Sequence, residues 1–197
     1  MSAERNERPV RMVLLWGDLY GANCTSSEKK LSIVDKFRRY GWDLTSVGAQ
    51  KTVRPCAFAQ QRGAEAIELD CTLEQIGDVT EYDGISIMPG PAHRGLIDSP
   101  VAMRMIRRAA DEGLVLSGWC RGVRVLAAAG VLGGKRVVGH ADDREAIEAS
   151  GGVYVGHDHP PVIDGRLVTG ARSYYYRAKN ADAIPTAMLD RLATLNG

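Results

Sequence analysis

The sequence predicts an α/β domain, a mostly parallel sheet with helices on both faces. Three observations carry this. Short apolar runs such as Val10 to Trp16 alternate with stretches whose apolar residues recur at helical spacing. Glycines stand where those helices should stop, at Gly41, Gly113 and Gly130. The chain has 197 residues, of which 22 are glycine, enough for one domain with many short turns. It shows no internal repeat, low-complexity tract or linker.

Val10 to Trp16 is the first buried strand. A loop rich in Gly, Asn and Ser follows, and Ser26 or Ser27 is placed to cap a helix over about Glu28 to Tyr40, with Leu31, Val34 and Phe37 on its apolar face. Leu44 to Val47 is a second strand. Residues 49–80 are less regular, with a hairpin or short strand near Lys51 to Cys56, another near Ala66 to Asp70, and a helical turn at Thr72 to Ile76. Asp83 to Met88 is a strand that runs into a Pro89-Gly90-Pro91 turn. Pro100 to Glu112 is an amphipathic helix, Leu114 to Gly118 a strand, and Val123 to Ala129 a helix. Lys135 to Gly139 and Tyr154-Val155 are strands on either side of a helix over Ala141 to Ala149. Pro161 to Thr169 holds a hairpin with an Asp-Gly turn, and Ala181 to Leu195 is a closing helix.

With 45% hydrophobic residues the chain can bury a real core, and 25 basic against 24 acidic residues give a net charge of +1. Neither a nucleic-acid nor a membrane partner is indicated. No apolar run reaches the length of a membrane span, and the polar start, residues 1–9, reads as a disordered leader rather than a signal peptide. The four cysteines, Cys24, Cys56, Cys71 and Cys120, have neither CxxC spacing nor a disulfide-rich pattern, so a cytoplasmic protein with reduced thiols is expected.

The chemistry concentrates at Cys120, flanked by Gly118 and Gly122 at a strand-to-helix junction. Small flanking residues let the backbone turn sharply, as in a Gly-x-Ser-x-Gly nucleophile elbow. The turn places the thiol at the carboxyl end of the sheet and at the start of a helix, where thiolate is favoured. The other three cysteines read as small buried hydrophobes.

The elbow, the segments YDGISIMPGP and AAGVLGGKRVVGH, and the hairpin VIDGRLVTGAR together resemble the ThiJ/PfpI superfamily, which includes proteases, glyoxalases, deglycases and isocyanide hydratases, and which shares its elbow cysteine with glutamine amidotransferase-like enzymes. The resemblance covers most of the chain. It implies a flavodoxin-like three-layer sandwich, a homodimer, a nucleophilic and oxidisable Cys120, and an acid from the first strand-to-helix region that hydrogen-bonds the thiol. That acid is Glu28 or Asp18; otherwise Glu28 is a helix-start carboxylate held by the dipole.

Two departures from the family pattern stand out. Where protease and glyoxalase members carry His after the elbow cysteine, this chain has Arg121. Arginine is no general base, but it suits lowering the Cys120 pKa or holding an anionic substrate; the plain alternative is a surface arginine. The family's Pro-Gly-Gly oxyanion turn is here Pro89-Gly90-Pro91, and Pro91 has no N–H. Loss of one such donor costs on the order of 10²–10³ in rate, so either the hole is rebuilt from Gly90, Ala92 or a side chain, with the N–H of Arg121 still available, or the chemistry differs. His140 is the first candidate base, and His93 a second whose plain reading is a backbone hydrogen bond. Trp16, Tyr20 and Trp119 are placed to line a pocket above the sheet edge, with core packing the ordinary explanation for Trp16, and Tyr174-Tyr175-Tyr176 to cover the site or, as aromatic tracts at interfaces suggest, to form a dimer seam. His157-Asp158-His159 has no third ligand at a convincing spacing, so neither a metal nor another cofactor is expected.

Two functions fit. The first is a cysteine-dependent hydrolase or hydratase (lyase) acting on a small-molecule electrophile. The second is a redox sensor or stress protein using an oxidisable cysteine. An amidotransferase would need a His and Glu pair near the C-terminus, and the tail from Ser173 onward has no histidine.

Overall fold

The structure is a computed structural model that describes residues 8–22, 24, 33–171 and 191–195. Parallel strands joined by helical crossovers must be covered on both faces, and the elements follow that logic. In chain order they are β1 (Arg11–Trp16), β2 (Leu19–Tyr20), α1 (Ile33–Arg39), β3 (Asp43–Gly48), β4 (Thr52–Pro55), α2 (Ala57–Gln60), β5 (Ile67–Glu68) and β6 (Cys71–Thr72). Then come β7 (Gly84–Ile87), α3 (Arg94–Ile97), α4 (Pro100–Asp111), β8 (Val115–Trp119), α5 (Val123–Ala129), β9 (Arg136–Val138), α6 (Arg144–Ala149), β10 (Val153–Gly156), β11 (Val162–Asp164) and β12 (Leu167–Gly170).

Seven strands form the main sheet in the order β11-β12-β8-β7-β1-β3-β6. Every pair is parallel except the β11–β12 hairpin. The two apolar faces of the sheet seed separate clusters. Val13, Leu15, Ile85 and Ile87 pack with residues of α4 and α5 on one face. Met12, Leu14 and Trp16 pack with Phe37 of α1 and with Leu192 on the other. This is the flavodoxin-like α/β sandwich that the resemblance implies.

The local signals are accounted for residue by residue. Ser99 caps α4 by accepting the Ala102 N–H at 3.2 Å, with Pro100 opening the helix. Gly41 and Gly130 end their helices at φ 72° and 74°. Ser86 and Ser117, opposite each other on β7 and β8, satisfy one another in the core at 2.8 Å. Arg8, at the end of the expected leader, makes a two-pronged pair with Asp83 at 2.9 and 3.0 Å.

Three features differ from the sequence reading. The strand expected at Lys135 to Gly139 leaves the main sheet and pairs with β10 in a separate two-stranded ribbon. A small β2-β4-β5 sheet forms beside the main one. The helix expected over Ala141 to Ala149 starts as a 3₁₀ turn at Ala141–Asp143. The first half of the helix expected from Glu28, its caps Ser26 and Ser27, Tyr174-Tyr175-Tyr176 and residues 181–190 lie outside the described residues; residues 191–195 are helical. Among the described residues, no helix is long and apolar enough to cross a membrane.

Candidate active site

Strand β8 ends at Trp119, and the chain then turns through a single 3₁₀ turn, Cys120–Gly122, into α5. Cys120 has φ 52° and is the only non-glycine residue with positive φ among the described residues. A side chain rarely adopts that conformation, and such strain concentrates at functional positions. Both flanking glycines are closely packed. A Cβ at Gly118 would lie 2.9 Å from Leu126 Cδ1, and one at Gly122 would lie 3.1 Å from the Ile87 carbonyl oxygen. The strained turn is thus held by the packing of β7, β8 and α5.

Half-buried Cys120 opens on a cavity of about 370 Å³ at the carboxyl ends of the strands, where open α/β sheets place ligands. The Pro89-Gly90-Pro91 turn forms one wall. It is pinned by β2: the Gly21 N–H donates to the Pro89 carbonyl at 3.0 Å, and a Cβ on Gly90 would collide with the Leu19 carbonyl. Trp119, Arg121, His140, Cys56 and Phe58 also line it.

Of the residues singled out in the sequence, the structure brings Cys120, Trp119, Arg121, Gly90 and His140 together around this cavity. Asp18 is not in its lining. Its carboxylate accepts the Gly95 N–H at 3.0 and 3.1 Å, tying the loop after β1 to α3. His93 is also outside the lining, 2% exposed, with Nε2 donating to the Met88 carbonyl at 3.0 Å. That is the backbone hydrogen bond weighed for it above. Burial pushes the His93 pKa down. Glu28 lies outside the described residues. Trp16 and Tyr20 are core residues in an edge-on pair, centroids 5.9 Å apart, and the Tyr20 hydroxyl donates to the Glu65 carbonyl.

Arg121 does not point away from the protein. Its guanidinium is bonded to Asp142 and lies 3.9 Å from Asp143, whose carboxylate is 3% exposed. Arg124 Nε donates to that same carboxylate at 3.0 Å. Two arginines therefore face two aspartates, and the Arg121 charge is compensated within the protein. His140 Nδ1 accepts the Asp142 N–H at 3.2 Å, which leaves the proton of the neutral ring on Nε2. Burial first, and the Arg121 charge second, hold the His140 pKa below the ordinary histidine value.

The site includes residues that the sequence reading missed. Cys56 is a half-buried cavity residue rather than a small buried hydrophobe; Cys71 is half-buried too, while Cys24 is fully buried with its thiol donating to the Pro89 carbonyl at 3.2 Å. Cys56 and Phe58 come from the small β2-β4-β5 sheet and α2, and no local motif marks them. None of the four cysteines is in a disulfide. Among the described residues, no group of three or more His, Cys, Asp or Glu side chains is arranged to hold a metal ion. His157 faces Asp158 at 3.4 Å, and His159 Nδ1 lies 2.7 Å from the Pro160 carbonyl.

A doubly wound sheet with a cysteine at the strand-to-helix turn on its carboxyl edge defines a class of α/β proteins. Residues 22–178 match the DJ-1/PfpI family, and the chain belongs to that family. It is 28% identical over 105 residues to protein DJ-1 homolog D of Arabidopsis thaliana, covering 52% of this chain and 27% of that longer protein. Among solved structures it resembles a two-domain protein from Anabaena variabilis with DJ-1/ThiJ/PfpI-like and ferritin-like domains (TM-score 0.71, 20% identity, 93% of this chain and 48% of that one). It also resembles a ThiJ/PfpI domain protein from Brachyspira murdochii (0.69, 14%, 93% and 99%) and Schizosaccharomyces pombe DJ-1 (0.69, 17%, 93% and 92%).

Proposed function

We propose that the protein is a cysteine-dependent enzyme that adds water to, or hydrolyses, a small electrophile. The observation that carries this is the strained Cys120 at φ 52°, opening on a cavity that His140 also lines. The Cys120 thiolate attacks a carbonyl, imine, nitrile or isocyanide carbon and forms a C–S bond. At a carbonyl, imine or nitrile carbon the displaced electron pair moves to the neighbouring oxygen or nitrogen, which takes up a proton; at an isocyanide carbon the proton goes to that carbon itself. Water then attacks the same carbon, the C–S bond breaks, and the thiolate is returned. His140, protonated on Nε2 when neutral, moves a proton at the cavity wall. Glu28, by resemblance, manages the thiol proton; Asp18 is engaged on α3. The backbone N–H groups of Gly90 and Arg121 are assigned as the oxyanion donors, while those of Gly21 and Cys56 are engaged by the Pro89 and Tyr20 carbonyls.

One observation favours a second reading, an oxidation-sensing thiol: Pro91 removes an N–H that a tetrahedral intermediate would use, whereas oxidation to sulfenate needs none. The test is disappearance of small isocyanides, nitriles and α-oxoaldehydes in the presence of wild type and Cys120→Ser. Turnover that falls at least about 10³-fold in Cys120→Ser supports the enzyme. Rapid Cys120 alkylation with no Cys120-dependent turnover would overturn it in favour of the oxidation-sensing thiol.

A further inference from the structure

We propose that Asp142 is a positioning residue of this site. It satisfies His140 Nδ1 in both protonation states of the ring, through its backbone N–H when the ring is neutral and through its carboxylate when the ring is charged, while the same carboxylate holds Arg121. This rests on the reading of Cys120 as the nucleophile and of His140 as the group that moves a proton.

A histidine that exchanges a proton changes what it needs at its other ring nitrogen. The neutral ring with its proton on Nε2 needs a donor at Nδ1, and the charged ring needs an acceptor there. Asp142 offers both. Its N–H donates to Nδ1 at 3.2 Å, and its Oδ2 lies 3.5 Å from the same nitrogen, a small side-chain rotation from hydrogen-bond distance. His140 is also the N-cap of the 3₁₀ turn Ala141–Asp143, so ring and turn are set by the same bond.

Asp142 Oδ2 is also the atom to which Arg121 Nη2 donates. His140 and Arg121 both line the Cys120 cavity, whereas Asp142 is not in its lining and its side chain is 61% exposed. Asp142 therefore acts through its two neighbours. The adjacent Asp143 is committed elsewhere, its carboxylate accepting from Arg124 Nε at 3.0 Å. Among the described residues, the charges that act on His140 are Arg121 on the elbow turn, Arg124 on α5, and Asp142 and Asp143 on its own turn. The arginines disfavour the charged ring and the aspartates favour it. One oxygen shared between a guanidinium and a titrating ring couples the two: a proton on His140 draws the carboxylate towards Nδ1 and loosens its hold on Arg121.

The test is a pH titration of the His140 ring nitrogens by heteronuclear NMR, assigned with His140→Gln, in wild type, Asp142→Asn, Asp142→Glu and Arg121→Gln. The neutral ring should carry its proton on Nε2 in wild type and in both Asp142 variants, because the backbone N–H remains. The His140 midpoint should fall in Asp142→Asn, rise in Arg121→Gln, and stay closer to wild type in Asp142→Glu. The Asp142→Asn shift should shrink in about 1 M salt, since the carboxylate is exposed. With the isocyanide, nitrile or α-oxoaldehyde that wild type turns over fastest, kcat/KM of Asp142→Asn should fall about two- to fivefold with KM little changed, and the limb that follows His140 should move with the NMR midpoint. Equal His140 midpoints in wild type and Asp142→Asn, or a neutral ring protonated on Nδ1, would overturn this inference alone and leave Cys120-dependent turnover standing. A midpoint that moves without the kcat/KM limb takes His140 out of the reaction, and this inference with it. Turnover unaffected by Cys120→Ser sinks the nucleophile reading and this inference together.

Discussion

At the scale of single residues the site depends on one backbone angle and on the glycines that permit it. A side chain in the left-handed region costs roughly 1–2 kcal/mol, and Cys120 at φ 52° bears that cost. Glycine tolerates the angle without strain. Cys120→Gly is therefore expected to be more stable than Cys120→Ala by about 1 kcal/mol in urea unfolding, although neither carries the thiol. Equal stabilities would mean that the elbow is unstrained. Gly90 is constrained from the opposite direction, by space. Gly90→Ala drives a methyl into the Leu19 carbonyl and is expected to lower the thermal midpoint and open the cavity wall, read as Cys120 alkylation that rises at a lower temperature on heating. The Gly-x-Cys-x-Gly spacing was legible in the sequence because these requirements are local. The Arg121–Asp142 and Arg124–Asp143 pairs were not, since they join positions 21 and 19 residues apart through the packing of α5 on the turn before α6.

At the scale of elements, the long strands and helices were legible where periodicity and caps agreed. Ser99, Pro100 and the apolar spacing of α4 all point to one helix, and Ser99→Ala should cost about 1 kcal/mol, measured by chemical denaturation with an unchanged slope. The four-residue helices α2 and α3 are too short to show a period, so neither was visible. Strand β9 was visible as a strand but not in its partner: a run of apolar residues reports that a strand is buried, not which strand it pairs with. The same limit hid Cys56 and Phe58. They reach the site because β2 pairs with β4, a contact no local pattern encodes.

At the scale of the molecule, two histidines couple stability to pH. Burial holds the folded-state pKa of His93 below the ordinary value near 6.5, and among the described residues its Nδ1 has no hydrogen-bond partner. The folded protein therefore binds fewer protons than the unfolded chain between those two values. Its stability is fully present above about pH 6.5 and is lost as pH falls towards the folded-state value. His140 shifts in the same direction but is a third exposed, so its share is smaller. In a Cys120→Ser background, which removes the thiol's own titration, urea midpoints should be flat from about pH 8 to 7 and fall below about 6.5, and adding His93→Gln, which keeps a donor for the Met88 carbonyl, should flatten that fall. An unchanged slope in His93→Gln would assign the pH dependence to other groups.

The most direct measurement is the pH profile of Cys120 alkylation by iodoacetamide in wild type, Glu28→Gln and Asp18→Asn. The expected midpoint lies well below the free-thiol value of about 8.5 and moves in Glu28→Gln. It stays put in Asp18→Asn, because the Asp18 carboxylate is engaged on the Gly95 N–H. A Cys120 that titrates as a free thiol in all three proteins would contradict the assignment of the elbow as a nucleophile.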